Sequence, residues 1–144
     1  MLSNLFIDTD IILDIVLDRE EFFESSSKIF QKFENGQVLL FTSPSTIINA
    51  QYTGQRLISR EKCKATMKYL LNYFILLEAN IDIFKRAYQS KFSDIEDAIQ
   101  YYTATQNSNI NYFITRNIKD FRSGEDNLAI ATPSQFIKIL KQNS

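Results

Sequence analysis

Five short apolar runs punctuate the chain: Leu5 to Ile7, Val38 to Phe41, Phe74 to Leu77, Tyr112 to Ile114 and Leu128 to Ala131. Near-continuous apolar runs of this length are what strands buried on both faces require. Helical periodicity fills the gaps between them. Phe22, Ile29 and Phe33 share one stripe, as do Cys63, Met67, Leu70 and Phe74, then Ile81, Phe84 and Tyr88, then Ile95, Ala98, Ile99 and Tyr102. Strand alternating with helix implies an α/β domain with a central, mostly parallel, twisted sheet of about five strands flanked by helices. With 144 residues, 44% of them hydrophobic, one domain spanning 1–144 around one core is the expectation.

Boundary signals agree with that division. Ser43-Pro44 and Thr132-Pro133 each read as an N-cap followed by proline at the first helical position, directly after a proposed strand. Ser93-Asp94-Ile95-Glu96 has the form of a capping box that opens a helix. Gly36, Gly54 and Gly124 stand apart, so there is no glycine-rich phosphate loop.

Composition removes most catalytic chemistries. The chain has no histidine, which excludes Ser-His-Asp and Cys-His machinery and His-ligated zinc, and its single Cys63 makes neither an intrachain disulfide nor a thiolate cluster. Carboxylates, amides and hydroxyls must carry any reaction. The net charge of −1, from 16 basic and 17 acidic residues, provides no overall field for polyanions, so their binding must be local. No apolar run is long enough for a membrane span and no leader pattern opens the chain, so a cytoplasmic protein is expected.

Against this background LFIDTDIILDIV, residues 5 to 16, poses a question, because Asp8, Asp10 and Asp14 interrupt an apolar run. Asp8 falls at the carboxyl end of the first proposed strand, the edge at which open parallel sheets bind ligands. A strand-end acid in apolar surroundings needs a partner, and no lysine or arginine is close to it in sequence. Asp10 opens the next helix and is within reach of the same crevice, whereas Asp14, one turn further, is expected to turn away as an ordinary exposed helix acid. Asp94 and Asp97 lie three apart at the start of a later helix, on the face opposite Ile95, Ala98, Ile99 and Tyr102.

If that face meets the strand ends, four carboxylates converge. Two like charges about 4 Å apart repel by roughly 4 kcal/mol at an effective dielectric of ~20, a cost that a divalent cation removes. Oxygen-only ligands suit Mg²⁺ or Mn²⁺, and such ions serve phosphoryl chemistry. Taken singly, the same acids are also what a helix N-terminus attracts.

FIDTDIILDIV, DIEDAIQYYTA and YFITRNIKDF, in that order and spacing, resemble the PIN domain from about Leu5 to Leu140. The resemblance implies a small α/β fold and a cluster of acids that binds Mg²⁺ or Mn²⁺ for RNA hydrolysis. Many bacterial members are VapC-type toxins restrained by a cognate antitoxin, so RNA, an antitoxin and a homodimer are the partners it implies, with no membrane. Carried over, it makes Asp8 and Asp97 catalytic metal ligands, with Asp94 as a further ligand. Asn117, after the fourth strand, would provide a carbonyl oxygen or orient water. Thr115 and Asp120 complete that motif as auxiliary groups, and Arg116 and Lys119 beside them are the expected phosphate contacts.

The sequence departs from the family's pattern twice. A glutamate is usual on the helix after the second strand, and Asn49 stands there; Asp-Thr-Asn is usual in the first motif, and Asp8-Thr9-Asp10 stands there. Asp10 is therefore a candidate to compensate for Asn49. Two other readings stay open. The loss of a carboxylate at Asn49 would suit a metal-deficient PIN-like module for RNA binding or interaction. Asp8-Thr9-Asp10 also looks like the opening signature of haloacid-dehalogenase-type phosphatases, although Ile12 stands where that signature has Thr or Val.

Overall fold

The computed structural model describes residues 2–107, 109–124 and 127–143. The first and last residues of the expected domain span lie outside it. Among the described residues there are five strands, β1 (Ser3–Ile7), β2 (Val38–Thr42), β3 (Phe74–Leu76), β4 (Tyr112–Ile114) and β5 (Ala129–Ala131). Seven helices accompany them: α1 (Thr9–Val16), α2 (Phe23–Glu34), α3 (Pro44–Leu57), α4 (Arg60–Leu70), α5 (Ile81–Gln89), α6 (Ile95–Gln106) and α7 (Pro133–Gln142). The strands form one sheet in the order β3-β2-β1-β4-β5, and every neighbouring pair is parallel.

Side-chain alternation along the strands divides the core in two. Leu5, Ile7, Leu40 and Ile114 face a layer that contains Ile11, Ile12 and Val16 of α1, Ile29 and Phe30 of α2, Met67 of α4 and Phe136 of α7. Phe6, Phe41 and Phe113 face the other way, against Ile83 and Ala87 of α5 and Ala98, Ile99 and Tyr102 of α6. The rings of Phe6 and Phe113 stack at 5.2 Å across β1 and β4. Helices thus cover both sheet faces, as an all-parallel sheet demands.

The chain winds outward from β1 to β2 and β3, then returns to lay β4 on the other side of β1. At this reversal the connections leave β1 and β4 in opposite directions and open a crevice beyond their carboxyl ends. Asp8 directly follows β1 and Thr115 directly follows β4.

Several expectations are corrected. The run at Phe74 is not buried on both faces: β3 is an edge strand, and Ile75 and Leu76 are exposed. Phe74 does not extend the stripe of α4, since that helix stops at Leu70 and one 3₁₀ turn leads into β3. Phe22 lies just outside α2, at its N-cap position. The cap of α6 is Asp94, whose Oδ1 accepts from the Asp97 N–H at 2.9 Å, so Ser93 and Glu96 do not form the expected box. Both Ser-Pro and Thr-Pro starts do cap their helices, α3 and α7. Among the described residues no helix is long and apolar enough to cross a membrane.

Candidate active site

At the β1/β4 reversal lies a polar pocket of about 390 Å³. Its lining includes the acids Asp8, Asp10, Asp94, Glu96, Asp97 and Asp120, together with Asn49 and Asn117. Four segments deliver them, with Asn49 coming from α3. Asp8 and Asp10 come from the start of α1, Asp94, Glu96 and Asp97 from the start of α6, and Asn117 and Asp120 from the loop after β4.

Asp8 is 4% exposed and held by neutral donors. Its Oδ1 accepts from the Thr9 N–H at 2.7 Å, which caps α1, and its Oδ2 accepts from the Thr115 hydroxyl at 2.7 Å. Burial, reinforced by the Asp10 charge, pushes Asp8 up to about 7, against the pull of those hydrogen bonds. The Thr115 oxygen in turn accepts from the Asn117 N–H at 3.1 Å, and the Asn117 amide donates to Asp10 at 2.6 Å. The TRN stretch therefore pins both acids of the first motif.

Asp97 is half-buried, and desolvation followed by the charges of Asp94, Asp8, Asp120 and Glu96 raises it to about 8. Each neighbouring carboxylate adds to the rise because a like charge disfavours the ionised form of Asp97. Asp94 is exposed at the head of α6.

Asn49 does not stand idle where a carboxylate was expected. Its amide donates to Oε1 of Glu96, which also accepts from the Thr9 hydroxyl at 3.4 Å. Burial raises the Glu96 pKa, with Asp94 and Asp10 adding to the effect, while Asn49 and Thr9 oppose it. Glu96 is a pocket residue that its sequence disguises, because its spacing from Ser93 suggests a capping role. The available signal was its place beside Asp97 on the same helical turn.

The basic residues divide differently from expectation. Arg116 is turned toward Asp14: its Nε donates to Oδ2 at 3.0 Å and its guanidinium lies 4.0 Å over the Phe22 ring. Asp14, expected to be exposed, is completely buried, and it also accepts from Ser26 at 2.8 Å and from Arg19 at 3.5 Å. Lys119 is exposed on the loop after β4.

The donor set suits a hard divalent cation in kind: oxygen only, mutually repelling and partly desolvated. Among the described residues, however, no three acids are drawn together closely enough to form a finished cage.

A PIN domain family model matches residues 4–119, and the chain belongs to the PIN domain family. Its fold is similar to that of VapBC2 from Rickettsia felis bound to a promoter DNA fragment, with a TM-score of 0.69 at 12% identity over 90% of this chain and 98% of that one. A toxin-antitoxin complex from Klebsiella pneumoniae gives 0.60 at 22% identity, over 91% and 98%. VapC20 from Mycobacterium tuberculosis, a sarcin-ricin loop cleaving toxin, gives 0.60 at 10% identity, over 76% and 86%. No curated protein sequence matches the chain.

Proposed function

We propose that the protein is a Mg²⁺- or Mn²⁺-dependent endoribonuclease and the toxin of a toxin-antitoxin pair. The observation that carries this reading is the convergence of Asp8, Asp10, Asp94, Glu96, Asp97 and Asp120 on one pocket, where burial and neighbouring like charge raise Asp8 to about 7 and Asp97 to about 8. A protein that gathers acids against such repulsion has a use for a positive charge at that point. Family membership directs that use toward RNA, and the toxin-antitoxin origin of two similar folds supports an antitoxin partner.

In this reading Asp8 and Asp97 hold the ion with Asp94, and Asp10 contributes from the first motif. Bound there, the ion would supply the charge that activates water and stabilises the charge developing on phosphorus. The chain's own groups do the rest. Thr115 fixes the orientation of Asp8, and Asn117 holds Asp10 and keeps one face of the pocket polar. Asn49 and Thr9 steady Glu96, and Asp120 adds negative charge at the rim. Lys119, exposed on the same loop, is free to meet a phosphate. Self-association and a cytoplasmic setting belong to the same reading.

A second reading, a metal-deficient module that binds RNA or a protein, draws on Asn49 and on the lack of a finished cage among the described residues. Calorimetric titration of Mn²⁺ into the wild type and Asp97→Asn separates the two. Binding that disappears in the variant, with Mn²⁺-dependent cleavage of RNA, supports the nuclease; no binding in either protein leaves the module. The phosphatase reading is set aside by family membership and by the position of Asp94 at the N-cap and Asp97 in the first turn of α6.

A further inference from the structure

A pocket lined by six acids is a poor receptor for RNA unless a cation waits in it. Among the described residues that line it, Arg19 is the one cation, and Arg116 is not among them. We propose that Arg19 is the group that grips a phosphate of single-stranded RNA in this pocket, with the Arg116–Asp14 pair as its mount. The proposal rests on the ribonuclease reading and specifies how that site takes its substrate.

Charge counting at Asp14 gives the first argument. Asp14 carries one negative charge and two guanidiniums approach it. Arg116 makes the close contact, 3.0 Å through Nε, and its guanidinium carbon lies over the Phe22 ring, so it is the main countercharge of the buried acid. Arg19 reaches the other oxygen only through Nη1 at 3.5 Å, the outer limit of a hydrogen bond. Its charge is surplus to the pair. A guanidinium has five N–H donors, and Asp14 takes one of them.

The backbone gives the second. Asp18 has φ of 50°, in the left-handed region, so the chain turns sharply just before Arg19. The Arg19 N–H donates to the Asp14 carbonyl at 3.1 Å, and its own carbonyl accepts from Phe22 and Phe23 at 2.9 and 2.7 Å. Three backbone bonds hold the residue at the pocket wall while its side chain keeps 32% exposure. A fixed base under an accessible planar fork is what bidentate recognition of a phosphodiester needs.

The test is binding of a labelled single-stranded RNA of about 20 nucleotides and mixed sequence, followed by fluorescence anisotropy with Ca²⁺ replacing Mn²⁺, from about 50 to about 200 mM KCl. Arg19→Gln is expected to weaken binding about tenfold at low salt and to reduce the salt slope by about 0.7, the value of one phosphate contact on a single strand. Arg19→Lys keeps the slope and loses part of the affinity. Arg116→Gln lowers the melting temperature and leaves the slope of the folded protein unchanged. Arg19→Gln with wild-type affinity and slope overturns the proposal, as does a slope change that follows Arg116→Gln instead. If Arg19→Gln fails to fold, Arg19→Lys decides, and wild-type affinity in that variant also overturns it. Absence of RNA binding by the wild type brings down the ribonuclease reading and this inference together; binding that ignores Arg19 brings down this inference alone.

Discussion

Asp8 and Asp14 lie six residues apart in one apolar segment, and both are buried, at 4% and 0% exposure. Their surroundings differ in sign. Asp14 meets two guanidiniums and a serine hydroxyl, so its charge is answered within the protein. Asp8 meets an N–H and a hydroxyl, both neutral, and faces Asp10. Burial alone therefore does not distinguish a structural acid from a functional one. The distinguishing feature is whether the fold provides the countercharge or leaves it to come from outside.

The sharpest way to break this comparison is to remove each charge in turn. Asp14→Ala leaves the partly buried Arg116 without its main countercharge, and losing one partner of a buried pair should cost about 3 kcal/mol of stability, the lower end of the usual range. Asp8→Asn should leave the melting temperature of the metal-free protein unchanged or raised, because it relieves repulsion. It should abolish Mn²⁺ binding in calorimetry and reduce RNA cleavage by about 100-fold or more. Denaturant melts that rank the two variants the other way round would erase the distinction.

A pH titration sharpens it without mutation. An acid whose folded pKa exceeds its unfolded value holds its proton more tightly when folded, so stability falls as pH rises from the unfolded toward the folded pKa. Asp8 goes from 3.8 to about 7 and Asp97 from 3.8 to about 8, so in EDTA stability should decline between about pH 4 and pH 8 and level off above. The melting temperature should drop on the order of 5–10 °C over that window. Millimolar Mn²⁺ should abolish the decline at the upper end. A flat profile in EDTA would show that Asp8 and Asp97 are neither desolvated nor repelled as placed.

Asn49 tests the same idea from the side of a neutral partner. Asn49→Ala frees Glu96 from its amide donor without changing the charge of the pocket. Loss of an orienting hydrogen bond around a metal site commonly costs 10–100-fold in affinity, and the lower end is expected because Thr9 still holds Glu96. An unchanged Mn²⁺ isotherm would confine Glu96 to a bystander's role.

The fold was legible because its signals are local: near-continuous apolar runs, helical patterning, and the Ser-Pro and Thr-Pro caps. Asp8 at the strand end was legible for the same reason. Edge exposure of β3 was not, since an apolar run reads alike whether it ends in the middle of a sheet or at its border, and only strand order decides. The burial of Asp14 was hidden because its closest cation, Arg116, is 102 residues away in sequence. Arg19 is close to Asp14 in sequence, but a lone arginine after a helix gives no sign of which acid or pocket it will face. Glu96 has a spacing that serves two purposes, capping its own helix or reaching across to α3, and the choice is made by Asn49 on another element.

The smallest expected effect probes what makes the Asp14 pair structural. The Arg116 guanidinium lies 4.0 Å over the Phe22 ring, and Phe22 has left α2 to take that position. Phe22→Leu keeps an apolar cover of similar reach but removes the ring's negative face. The loss should be about 1 kcal/mol, within the range for a partly desolvated cation–π contact. Urea melts of Phe22→Leu, Arg116→Lys and the double variant form a cycle that isolates the contact, because lysine loses the planar stack as well as the Nε donor. A coupling near zero would mean that Asp14, itself held by Ser26, fixes Arg116 without the ring, and that the ring serves only to exclude water from the pair. A measurable coupling would mean that Phe22 helps to keep Arg116 on Asp14, so the stack itself contributes to leaving Arg19 as the surplus charge at the pocket wall.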